Sequence, residues 1–125
     1  MTEQTYSKMY IAVLDEAPDY MVPTLVAHSV LTAHVKFAEP KRLEFGQPSN
    51  KEIYLDWMQH SFRKVTLRVN RREFDKIRET LTCHQGHENT ICNGEPSCLV
   101  VLPVRSDNVP NVLKYAKLWK PITGE

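Results

Sequence analysis

Two groups of residues in this chain are of types that do chemistry. The first is a polar stripe on an otherwise apolar stretch, Val22-Pro-Thr-Leu-Val-Ala-His28-Ser-Val-Leu-Thr-Ala-His34-Val-Lys-Phe37. Thr24, His28 and Thr32 recur at i, i+4 and i+8, so they share one helix face, with Ser29 beside them. A helix that is apolar on most sides is expected to be buried. A histidine on such a helix is either locked in a structural hydrogen bond or turned toward a site.

The second group is Cys83, His84, His87, Cys92 and Cys98, soft and imidazole ligands within sixteen residues. Zinc takes about four such ligands in a tetrahedron. The spacing C-H-x2-H-x4-C-x5-C lacks the paired C-x2-C knuckles of a zinc motif, and Cys98 opens an apolar run where a thiol is simply buried. No metal is therefore expected. His34 falls on another side of the helix from His28, and His60 stands at a helix end where the dipole favours a cation.

Charge is distributed unevenly. Arg63, Lys64, Arg68, Arg71, Arg72, Lys76 and Arg78 stand against Glu73 and Asp75, a local charge of +5 within sixteen residues of a chain whose net charge is +1. Such a cluster is either a solvated face or a set of phosphate contacts. The acidic Asp15, Glu16 and Asp19 would repel RNA if they line the same cleft.

The elements that position these groups follow from pattern. Met9-Tyr-Ile-Ala-Val-Leu14 reads as a buried strand closed by a turn at Pro18, and Pro23 suits the first turn of the helix that follows. Glu39 to Pro48 reads as a loop. Ser49 and Glu52 form a capping-box pattern ahead of a short helix with Tyr54, Trp57 and Met58 on its apolar face. Lys64-Val-Thr-Leu-Arg-Val69 alternates as a half-buried strand, and Asn70 to Glu73 start a helix carrying Phe74, Ile77 and Leu81 inward. The stretch from Thr82 to Asn93 is irregular or a weak strand, and Cys98 to Leu102 is a continuous apolar strand suited to the middle of a sheet. A last helix, capped by Asp107 or Asn108, would bury Val109, Val112, Leu113, Ala116 and Trp119 and end at Pro121. The two tryptophans, Tyr54 and Phe74 sit at core spacing.

This alternation predicts an α/β layer fold with a mostly parallel sheet, the last two strands being close enough for one antiparallel hairpin. The 125 residues suit one domain, residues 1–125, with 1–8 a flexible N-terminus. Hydrophobic content of 42% and charged content of 25% are those of an ordinary globular chain. No run approaches a membrane span, no signal-peptide core is present, and three cysteines argue against a disulfide framework, so a cytoplasmic protein is expected. There is no G-x-S-x-G, phosphate loop or Rossmann glycine pattern, so no cofactor is expected. In open α/β sheets the ligand site lies beyond the carboxyl ends of the parallel strands, where the turn after Leu14 and the Pro23 helix would meet.

The order of pieces resembles the type-2 (archaeal and eukaryotic) peptidyl-tRNA hydrolase family over most of the chain. Met9 to Leu14 resembles its first strand, Leu25-Val-Ala-His28-Ser its first-helix motif, and Lys64 to Val69 its second strand. Asn70-Arg-Arg-Glu-Phe resembles the capped start of its next helix, Leu99-Val-Val-Leu-Pro103 its last strand, and Leu113-Lys-Tyr-Ala-Lys-Leu-Trp its terminal helix. Short proteins of tailed phages and bacteria share the pieces Met9 to Ile11, Ala27 to Ser29, His34 to Phe37, Trp57 to Lys64 and Lys117 to Trp119. The resemblance implies a four-stranded, mixed but mostly parallel sheet with helices on both faces. It also implies hydrolysis or binding of an ester-linked tRNA, in host cytoplasm if the chain is phage-encoded.

Against the family pattern, the segment Asp15 to Met21 has no lysine, and the family's Asp-Ala-Gly-x-Thr motif falls on Cys83 to Thr90, with Gly86 on the glycine and His84 on the aspartate. The residues so implied for catalysis are His28 to orient or deprotonate water, His84, and Asn89 and Thr90 as donors to an oxyanion. Those implied for the nucleic acid are Arg63, Lys64, Arg68, Arg71 and Arg72. The alternative that the missing lysine and aspartate leave open is a catalytically inactive domain of the same fold that binds a host protein. No membrane association is implied.

Overall fold

The computed structural model describes residues 5–38 and 49–121. The loop expected from Glu39 to Pro48 lies outside the described residues. The chain is α/β with a mixed sheet. In chain order its elements are β1 (Ser7–Leu14), α1 (Val22–Ala38), α2 (Asn50–Gln59), β2 (Arg63–Val69), α3 (Arg71–Thr80) and β3 (Cys83–Gly86). They continue with β4 (Cys98–Val101), β5 (Val104–Arg105), α4 (Asn111–Lys114) and β6 (Lys117–Leu118). Single 3-10 turns occur at Asp19–Met21 and Cys92–Gly94.

The strands run in the order β3-β4-β1-β2-β6, with β5 pairing the start of β1. This corrects the expected four-stranded, mostly parallel sheet: among the described residues six strands are present, and only β1 and β2 pair in parallel, from Lys8 beside Arg63 to Leu14 beside Val69. The other pairings are antiparallel. Two short strands account for the difference, and one was expected to be helix. The terminal helix covers only Asn111–Lys114, after which Lys117 and Leu118 pair with Arg68 and Leu67 of β2. Pro110 opens that helix and Pro121 follows closely, so little chain is left to propagate it. At the other end, β1 takes in Ser7 and Lys8, which were expected to be flexible.

Alternation divides the sheet between two cores. Met9, Ile11, Val13, Cys98 and Val100 face α1 and α2, packing on Leu25, Ala33, Phe37, Tyr54 and Trp57. Ala12, Leu14, Leu67, Val69, Leu99 and Val101 face α3 and α4, packing on Phe74, Ile77 and Leu113. The expected caps form in part: the last helix is preceded by Pro110, with no side-chain cap, rather than capped by Asp107 or Asn108. Ser49 accepts the Glu52 amide, and Asn70 and Glu73 complete a reciprocal capping box. Trp119 packs against the first core from an extended segment rather than from a helix. The helix α1 was expected to be covered on most sides, yet it buries only one: Leu31 and Val35 are 70% and 71% exposed. Among the described residues, no helix is long and apolar enough to cross a membrane.

Candidate functional site

The seam between α1 and β3 carries the polar groups. Its register follows from the sheet: Gly86 pairs with Cys98, Cys98 with Val13, and Val13 with Arg68, so the end of β3 is level with the carboxyl ends of β1 and β2. Because β3 and β1 are each antiparallel to β4, they run in the same direction. The loop leaving β3 therefore emerges where the parallel pair ends, which is where a site was expected.

Glycine at position 86 lets the helix approach. A Cβ there would lie 1.9 Å from Ser29 Oγ, and Ser29 turns that hydroxyl inward to donate to the Leu25 carbonyl at 2.7 Å. From the residue just before this contact and from the next two turns beyond it, side chains of α1 reach the strand and its loop. His28 Nδ1 lies 2.6 Å from Glu88 Oε2, with the histidine side chain 48% exposed and the glutamate 18%. In a neutral imidazole that contact places the proton on Nδ1, donating to the carboxylate, and leaves Nε2 as an acceptor. Thr32 donates to the His28 carbonyl at 3.0 Å or the Ser29 carbonyl at 3.1 Å, and its oxygen stands 2.8 Å from His84 Nε2. With its proton committed to the helix, Thr32 accepts from His84. Burial holds the His84 pKa below the ordinary imidazole value, reinforced by the charges of Lys36, His28 and His87. Lys36, one turn beyond Thr32, donates to the Cys83 carbonyl at 3.1 Å. The His87 ring centroid is 6.3 Å from that of His28.

Of the residues the sequence pointed to, His28 and His84 are brought to this seam, each with a partner on the other element. Asn89 and Thr90 follow Glu88 directly and are exposed on the same loop. The basic set is not one surface. Arg63 and Lys64 open β2, whereas Arg68, Arg71 and Arg72 lie at or beyond its far end. Two of the latter are neutralised by the acidic turn after β1: Arg68 donates to Asp19 at 3.0 Å and Arg71 to Glu16 at 2.9 Å. The cysteine and histidine set does not converge. Cys83 and His84 pack on opposite faces of β3, and Cys98 is fully buried. Among the described residues, no group of three or more His, Cys, Asp or Glu side chains could hold a metal ion.

The residue that the sequence did not single out is Glu88. It was legible in outline: the spacing of His28 and Thr32 requires a polar surface opposite, and Glu88 is the only carboxylate between Cys83 and Cys92. A half-exposed imidazole held through Nδ1 by a mostly buried carboxylate has the arrangement that general-base chemistry requires, with Nε2 left free of that contact. No protein-family model matches the chain, and no curated protein matches it.

Proposed function

We propose that the protein is a hydrolase of the peptidyl-tRNA hydrolase type, cleaving the ester that links an acyl or peptidyl group to tRNA. The observation that carries this reading is the 2.6 Å contact between His28 and Glu88 at the carboxyl end of the parallel pair. Ester hydrolysis needs a proton taken from water and returned to the leaving oxygen. His28 Nε2 takes the proton as the water oxygen bonds to the carbonyl carbon. Collapse of the tetrahedral intermediate breaks the bond to the tRNA oxygen, which receives that proton back. Glu88 fixes the ring and stabilises the imidazolium between the two transfers, supplying the acidic partner that the motif resemblance leaves unmatched. Asn89 and Thr90, directly after Glu88 on the same loop, are the proposed donors to the developing oxyanion.

A second reading is a non-catalytic protein-binding module of the same fold. It is favoured by the exposed Leu31 and Val35, which follow His28 at i+3 and i+7 on α1. Incubating the purified chain with N-acetylated aminoacyl-tRNA separates the two. Release of the acyl group that is lost in His28→Ala supports the hydrolase, and a folded chain that releases nothing leaves the binding module.

A further inference from the structure

On the face of the sheet opposite α1, the amino-terminal half of the parallel pair is left open because α4 is one turn long. Lys8, Tyr10, Val65 and Leu67 form the floor of a cleft of about 390 Å³ there, walled by Leu118 of β6 and by Lys114 and the turn ahead of α4. Alternation puts Lys8 and Tyr10 on this face, with Arg63 beside Lys8 on β2; Tyr6, just ahead of β1, lies against Arg63, and the two line an adjoining recess with Asp56 and His60. Cations and rings interleave: Arg63 Cζ stands 3.9 Å from the Tyr6 ring centroid, and Lys8 Nζ 5.6 Å from that of Tyr10. Lys8, Arg63 and Lys114 have no ion pair among the described residues. The one carboxylate lining the cleft, Asp107, is bound by Arg105 through both oxygens at 3.1 Å.

We propose that this open face binds single-stranded nucleic acid, with bases on Tyr6 and Tyr10 and phosphates on Lys8, Arg63 and Lys114. Tyr6 and Tyr10 are four residues apart in the chain, about 13 Å if the backbone is extended, with the cation Lys8 midway in sequence. An acidic peptide would satisfy the cations and leave the rings unused. A single strand uses both, since any base has a face to stack and any phosphate a charge to neutralise. In the free protein the cations rest on the rings; a bound strand takes the ring faces and draws the cations outward to phosphate. The site stands apart from His28. Lys8 lies six residues, about 20 Å, from the carboxyl end of β1 and on the other side of the sheet.

The test is fluorescence anisotropy of a labelled 12-nucleotide single-stranded RNA with the full chain, at low salt and again at about 0.2 M salt. The expected result is binding that weakens steeply with salt, and that falls roughly tenfold in Tyr6→Ala and further in Arg63→Glu/Lys114→Glu. All three positions are exposed, so the variants keep the fold, which a thermal melt verifies. Lys76→Gln, on α3, is expected to bind as the unaltered chain does. The proposal is overturned by any of four results: no binding at low salt, equal loss in the α3 control, preference for a duplex of the same sequence, or competition by polyglutamate as effective as by RNA.

Discussion

Ser29 and Gly86 meet where α1 crosses β3, so closely that a Cβ at position 86 would lie 2.6 Å from Ser29 Cβ as well as against its oxygen. That approach is what brings His28 to Glu88 and Thr32 to His84. Gly86→Ala is expected to destabilise the chain by about 3 kcal/mol, read as a lower denaturation midpoint. Adding Ser29→Gly removes the clashing atoms and is expected to recover part of the loss. An unchanged midpoint in Gly86→Ala would show that the helix does not depend on this contact.

Cys98 is expected to be inert to thiol reagents until the protein unfolds. Burial, opposed only weakly by a hydrogen bond with Ser29, pushes its thiol from 9.0 up to about 12. The unfolded chain thus loses this proton at lower pH than the folded one, and folding stability falls as pH rises from about 9 toward 12. Cys98→Ala costs roughly 1 kcal/mol at neutral pH but lacks that component. The gap between variant and unaltered chain should therefore narrow on going to about pH 10. Denaturant midpoints at the two pH values check this, and a constant gap would contradict it.

The two arginines facing the acidic turn are expected to differ. Arg68 is 18% exposed, pairs with Asp19, donates to the Lys120 carbonyl at 2.6 Å and lies over the Trp119 ring. It ties β1's exit to the segment after β6. Arg68→Ala is expected to cost about 2 kcal/mol, a drop of several degrees in Tm. Arg71 meets Glu16 in solvent, where such pairs contribute little, and Arg71→Ala should leave Tm unchanged. Equal losses in calorimetry would refute the distinction.

The sequence specified best what local pattern controls. The alternation of Val65, Leu67 and Val69, the apolar run from Cys98 and the capping box at Asn70 all appear as read. It misled where tertiary pairing overrides pattern. The spacing of Leu113, Ala116 and Trp119 suits a helix, but β2 has an unpaired edge, and Lys117 and Leu118 complete it instead. The basic run was clustered in sequence yet is parted by the length of β2, and two of its members, Arg68 and Arg71, are answered by Asp19 and Glu16 from a segment 49 to 55 residues away. At the site, His28 was legible because its own helix carries the signal. Glu88 was legible only as the one carboxylate between Cys83 and Cys92, because its contact with His28 forms only when β3 is laid beside α1, across a separation of 60.

The central claim is that His28 and Glu88 act as one unit on an ester. The most direct measurement is single-turnover release of the acyl group from N-acetylated aminoacyl-tRNA by the unaltered chain, His28→Ala, Glu88→Gln and the double variant. The account predicts a loss on the order of a hundredfold or more in His28→Ala, a smaller loss in Glu88→Gln, and a double variant no slower than His28→Ala alone. Release by Glu88→Gln at the unaltered rate, losses that multiply in the double variant, or no release by the unaltered folded chain would contradict it.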